Sequence, residues 1–96
     1  MIRSFGDGRT KDLYNGVDSA HARRVAADIA TAALEKLDIL NAATTLNDLR
    51  IPPSNHLEKL KGKLADLHSI RINRQWRIVF RWVNGDAEDV RLMDYH

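Results

Sequence analysis

Three residues that can carry or exchange protons, Asp94, Tyr95 and His96, follow directly on the alternating run DVRLM. A histidine with an ordinary pKa of ~6.5 donates or accepts a proton near neutrality. The aspartate can orient a neighbour or act as a base. The tyrosine, with a pKa of ~10, is a hydrogen-bond donor with a ring that can stack on an exposed base. Farther back, QWRIVFRW contains Arg77, whose guanidinium can hold a phosphate by two parallel hydrogen bonds. Together these groups suit proton transfer at a phosphate. Taken one by one, each has a duller reading: an exposed strand arginine, a turn charge, a core-edge aromatic, a frayed terminal histidine.

The elements that must position them are legible in the hydrophobic period. Ile2–Phe5 reads as a short first strand, broken by Gly6 and Gly8. Thr10–Gly16 reads as one or two helical turns closed by Asn15-Gly16. Ser19 is a good N-cap for a long amphipathic helix with Val25, Ile29, Ala33, Leu37 and Leu40 as its apolar stripe. Thr44–Leu49 makes a further turn, ended by Pro52-Pro53. After HLEKLKGKL the period changes to two. Ser69–Ile72, Trp76–Val83 and Asp89–Met93 read as strands joined by an NRQ turn and by Asn84-Gly85. In the middle strand Trp76, Ile78, Phe80 and Trp82 share one face, and Arg77, Val79, Arg81 and Val83 the other. The aromatics are expected in the core, against the long helix. The order is β-α-α-β-β-β, an α+β class with a small curved antiparallel sheet on N-terminal helices, in one domain over residues 1–96.

Composition narrows the setting. A chain of 96 residues with 44% hydrophobic and 29% charged side chains is expected to fold as a soluble globule. No apolar run reaches the ~20 residues of a membrane span, and MIRSFGDGRTK has no secretory apolar stretch, so a cytoplasmic protein without membrane contact is expected. There is no cysteine, and His21, His56, His68 and His96 are scattered without metal-ligand spacing, so neither a metal nor another cofactor is expected. His21 and His68 are read as structural. Residues 1–49 hold six Lys/Arg against seven Asp/Glu, whereas His56 to Arg81 holds Lys59, Lys61, Lys63, Arg71, Arg74, Arg77 and Arg81 against Glu58 and Asp66. That surplus reads either as a phosphate-binding surface or, from composition alone, as ordinary solvated charge, and the lysines either as nonspecific phosphate contacts or as side chains facing water.

SIRINRQWRIVFRWVNGDAEDVRLMDYH, with PPSNHLEKLKG upstream and MIRSF at the start, resembles the HigB, or plasmid maintenance system killer, family within the RelE/ParE superfamily of toxins. The likeness runs through nearly the whole chain, and QWRIVFRW with the terminal DYH is specific jointly. It implies a RelE-like fold and a ribosome-dependent messenger-RNA endonuclease that cuts in the A site. Such a toxin is restrained by a HigA-like helix-turn-helix antitoxin, through which alone it would reach operator DNA. Carried over by position, the catalytic groups fall on Arg77, Asp94, Tyr95 and His96, with a supporting lysine at Lys61. Lys59, Lys63, Arg71, Arg74 and Arg81 would contact RNA or ribosome. One departure stands out. The position four residues before the glycine of LKG, a functional histidine in a well-studied member, is Glu58; His56 lies two residues away, and both are possible members of the site. Two other readings compete: a gyrase-inhibiting toxin of the ParE kind, which the terminal DYH argues against, and a relative that binds ribosomes or RNA but cuts weakly.

Overall fold

The computed structural model describes Met1–Asp94. Three helices, α1 (Gly8–Asn15), α2 (Ala20–Arg23) and α3 (Ala27–Ala42), precede four strands, β1 (Glu58–Lys59), β2 (His68–Arg71), β3 (Trp76–Val83) and β4 (Asp86–Asp94). The strands form one antiparallel sheet in sequential order. The α+β class and the helix-on-sheet layering follow the sequence expectation.

Local chemistry explains the boundaries. Asp7 caps α1 by accepting from the Thr10 N–H at 2.8 Å, and Gly16, at φ 71°, ends it in the left-handed region that glycine tolerates. Thr45 and Asp48 form a reciprocal capping box on the 3₁₀ turn Leu46–Arg50. Asn73 Oδ1 accepts from the backbone N–H groups of Gln75 and Trp76, which folds the NRQ turn. Asn84 and Gly85, at φ 49° and 83°, supply the two positive-φ positions of a tight hairpin.

Three expectations are corrected. The helix read from Ser19 is two helices: Ser19 caps only Ala20–Arg23, the chain extends at Ala26 (ψ 144°), and α3 starts afresh at Ala27. No glycine or proline marks this break; burial of Val25 in the core holds the corner between the two helices. Ile2–Phe5 makes two isolated parallel bridges to Ala87 and Val90 rather than a continuous strand. The cause is a bulge in β4. Between the pairs Val79–Arg91 and Arg81–Glu88, Asp89 and Val90 stand against the single residue Phe80, and Asp89 sits at φ 53°. A fourth strand, β1, lies outside the expected set because two residues carry no readable period.

The core fills the layer between α3 and the sheet. Leu37 and Leu40 of α3 meet Ile70, Ile78, Phe80, Val90 and Leu92, all nearly or fully buried, with Trp76 and Trp82 packed at its edge. The aromatic face of β3 is therefore the core face. On the other face Val79 is covered by Leu60 and Leu67, a second small core that lies between Arg77 and Arg81.

Candidate active site

Arg77 is the second residue of β3, opposite Arg71 on β2 and Met93 on β4. Strand alternation sends its side chain away from the main core, onto the face of Ser69 and Val79. There it is held from several directions. Nη1 donates to Ser69 Oγ at 2.6 Å and to the His56 carbonyl at 3.4 Å; Nη2 donates to Glu58 Oε1 at 3.1 Å. The Arg77 side chain is only 12% exposed, whereas that of Glu58 is 54% exposed. The guanidinium is thus fixed on its inner side by a buried hydroxyl and closed on its outer side by a carboxylate that water can reach. An anion able to replace that carboxylate would find an arginine already oriented, with a proton acceptor beside it.

The structure brings Arg77, Glu58 and the backbone of His56 together. His56 sits at φ 44°, a turn that carries its carbonyl towards Arg77. Asp94 starts from elsewhere. It pairs with Trp76 in the ladder, one residue out of phase with Arg77, and accepts from Gln75 Nε2 at 3.0 Å. Tyr95 and His96 lie outside the described residues.

The other cations are spread out. Lys59 is exposed on β1 and Lys61 precedes the 3₁₀ turn Gly62–Leu64. Arg71 donates to the Asn73 carbonyl, and Arg74 is exposed on the NRQ turn. Lys63 and Arg81 line a cleft of about 310 Å³ with Asp66, Asp89 and Arg91, on the far side of Val79 from Arg77. Arg81 pairs there with Asp89 at 3.0 Å. Sequence reasoning gave no role to Ser69. Its place opposite Val79 follows from the hairpin register, the one signal that could have found it.

His21 and His68, also among the described residues, make contacts within the fold. His21 Nε2 meets Asp12 Oδ2 at 2.6 Å, and that bond, with a second from Ser19, holds the Asp12 carboxyl below its usual range. His68 stacks on Phe80, and burial, with Lys59 nearby, pushes its pKa down.

Comparison with known proteins agrees with this architecture. Residues 3–96 match the family model for the HigB-like toxin, described as a RelE-like toxin of the type II toxin–antitoxin system HigB. Toxin HigB-1 of Vibrio cholerae is 41% identical over 87 residues, covering 91% of this chain and 90% of that protein. Endoribonuclease HigB of Proteus vulgaris is 33% identical over 97 residues, covering both chains in full. Among solved structures, a chain of the YoeB-YefM complex from Staphylococcus aureus superposes with a TM-score of 0.63 over 100% of this chain and 98% of its own, at 18% identity, a likeness of fold. A match spanning almost the whole chain is decisive: this chain belongs to the HigB-like family of toxins of type II toxin–antitoxin systems.

Proposed function

We propose that this toxin is an endoribonuclease that cuts messenger RNA in the ribosomal A site, and that it acts in the cytoplasm under the control of a helix-turn-helix antitoxin. The observation that carries the reading is Arg77, nearly buried, tied to Ser69, and faced by the exposed carboxylate of Glu58. The name of the Proteus vulgaris relative supports nuclease chemistry, and the family description supports an antitoxin partner.

In this mechanism the scissile phosphate displaces Glu58 from the Arg77 guanidinium, which then stabilises the negative charge that builds on phosphorus. The displaced carboxylate, still alongside, takes the proton of the attacking 2′-hydroxyl. Glu58 thereby fills the place where a well-studied member has a histidine. His96 protonates the leaving 5′-oxygen, and Tyr95 stacks on the adjacent base. Asp94, out of phase with Arg77 in the ladder, orients these neighbours rather than serving as the base. Lys61 lends positive charge at the rim. General acid–base help contributes roughly 10²–10⁴-fold, and charge stabilisation a comparable factor.

One anchored arginine does not orient a flexible RNA, so the ribosome supplies the positioning, worth several kcal/mol. The test is cleavage of one message, free and on programmed ribosomes, by the purified toxin. Cutting confined to ribosome-bound message is expected. Efficient cutting of free RNA would remove the ribosome from the mechanism, and intact transcripts with a DNA-damage response would favour gyrase as the target.

A further inference from the structure

We infer that Arg9 and Thr10, in the first turn of α1, are positioning residues for this reaction: they clamp the end of β4 and so set where Asp94 stands. The inference rests on the proposed nuclease reading. The outer edge of β4 is the one that β3 leaves uncovered. Through the bulge, that edge is satisfied mainly by backbone: Arg3 N–H donates to the Ala87 carbonyl, Ala87 N–H to the Met1 carbonyl, Val90 N–H to the Ser4 carbonyl and Gly6 N–H to the Val90 carbonyl, with Asp89 N–H donating to Ser4 Oγ. At Gly6 the N-terminal segment turns into α1, and backbone pairing along this edge stops.

The next residue of β4 to face that edge is Leu92, and two side chains of α1 hold it there. Thr10 Oγ1 accepts from the Leu92 N–H at 2.9 Å, and Arg9 Nη2 donates to the Leu92 carbonyl at 2.8 Å. Both polar groups of a single peptide position are therefore gripped by consecutive residues of one helix. Thr10 is fully buried, so its hydroxyl has no water to exchange with. Arg9 does a second thing. Its guanidinium lies over the Trp76 ring, 5.5 Å from the centroid, and Trp76 is the residue opposite Asp94 in the ladder. Arg9 thus touches both strands that carry the proposed chemistry, two residues before Asp94 on one and one residue before Arg77 on the other. A backbone partner alone would close the edge; this clamp also fixes the two strand ends relative to each other.

Arg9→Ala, Arg9→Lys and Thr10→Val in the full chain test the inference by two readouts. The first is amide hydrogen exchange along the sheet: faster exchange at Leu92 and Asp94 is expected in Arg9→Ala and Thr10→Val, with the amides of Ile78 and Phe80 unchanged. The second is single-turnover cleavage on programmed ribosomes at several toxin concentrations. The maximal rate constant should fall about 10- to 100-fold, as for a misplaced catalytic group, with half-saturation within about twofold. Arg9→Lys, which keeps a donor and a cation over the ring, should recover part of the loss. Unaltered exchange at Leu92 and Asp94 overturns the inference. So does a rate loss that merely tracks a lower melting temperature. If the wild-type chain cuts no message, the nuclease reading alone fails, and the exchange readout still decides whether α1 holds the strand end.

Discussion

Arg77 and Arg81 stand four residues apart on the same face of β3, and each meets a carboxylate at a similar distance, Glu58 at 3.1 Å and Asp89 at 3.0 Å. Their surroundings differ. Arg77 is 12% exposed and is also bound to Ser69 and the His56 carbonyl; Arg81 is 48% exposed beside an Asp89 that is 47% exposed. The covered patch of Val79, Leu60 and Leu67 separates them. An exposed ion pair costs side-chain entropy to hold and is screened by salt, whereas a guanidinium fixed by a buried hydroxyl is oriented before substrate arrives. On the proposed reading the same residue type on one strand serves two ends: Arg77 would anchor the reacting phosphate, and Arg81 would attract RNA diffusely.

The largest expected effect separates them most sharply. Arg77→Ala should reduce single-turnover cleavage by about 10²–10³-fold, the loss typical of a charge-stabilising donor. It should also lower stability by roughly 1–2 kcal/mol, because it strands the buried Ser69 hydroxyl; a thermal melt reads that loss. Glu58→Gln keeps the hydrogen bond to Arg77 and removes the proton acceptor. Cleavage should fall by about 10²-fold, the low end for a lost base, since water reaches this position. An active Glu58→Gln enzyme would move the base elsewhere.

Arg81→Ala should act through association. Half-saturation should rise a few-fold, the maximal rate should hold, and the salt dependence of binding should lose about one phosphate's worth of slope. The smallest effect concerns the core face behind both arginines. The pKa of His68 is lowered in the fold by burial and by Lys59, so the unfolded chain binds its proton more readily. Stability should therefore decline as pH falls from about 7 to 5, the interval around the ordinary histidine pKa of ~6.5. The lowered carboxyl groups of Asp12, Asp48 and Asp86 add their own losses only below about pH 4. Melting temperatures of His68→Asn across that range should show a flatter slope than the wild type.

The parts of this architecture that the sequence reveals are those with a long period or a dedicated turn residue. Strand alternation in WRIVFRWV separates Phe80 from Arg77, and Asn84-Gly85 marks the hairpin. What stayed hidden is nonlocal. The break between α2 and α3 has no local breaker, and the bulge at Asp89 arises where β4 must pair with β3 on one side and the N-terminal segment on the other. For the site, Arg77 was legible from its strand and its family pattern. Its tie to Ser69 and Glu58 depends on a hairpin register and a two-residue strand, and the Arg9–Thr10 clamp on an edge contact across more than 80 positions of chain.

The most direct measurement compares two lysine substitutions in single-turnover cleavage on programmed ribosomes. Lysine keeps the charge and removes the planar fork, so only a residue that works by fixed geometry should notice. Arg77→Lys is expected to lose at least about tenfold in maximal rate, while Arg81→Lys remains within about twofold of the wild type. Equal tolerance of lysine at both positions would contradict the account, because Arg77 would then be no more an anchor than Arg81.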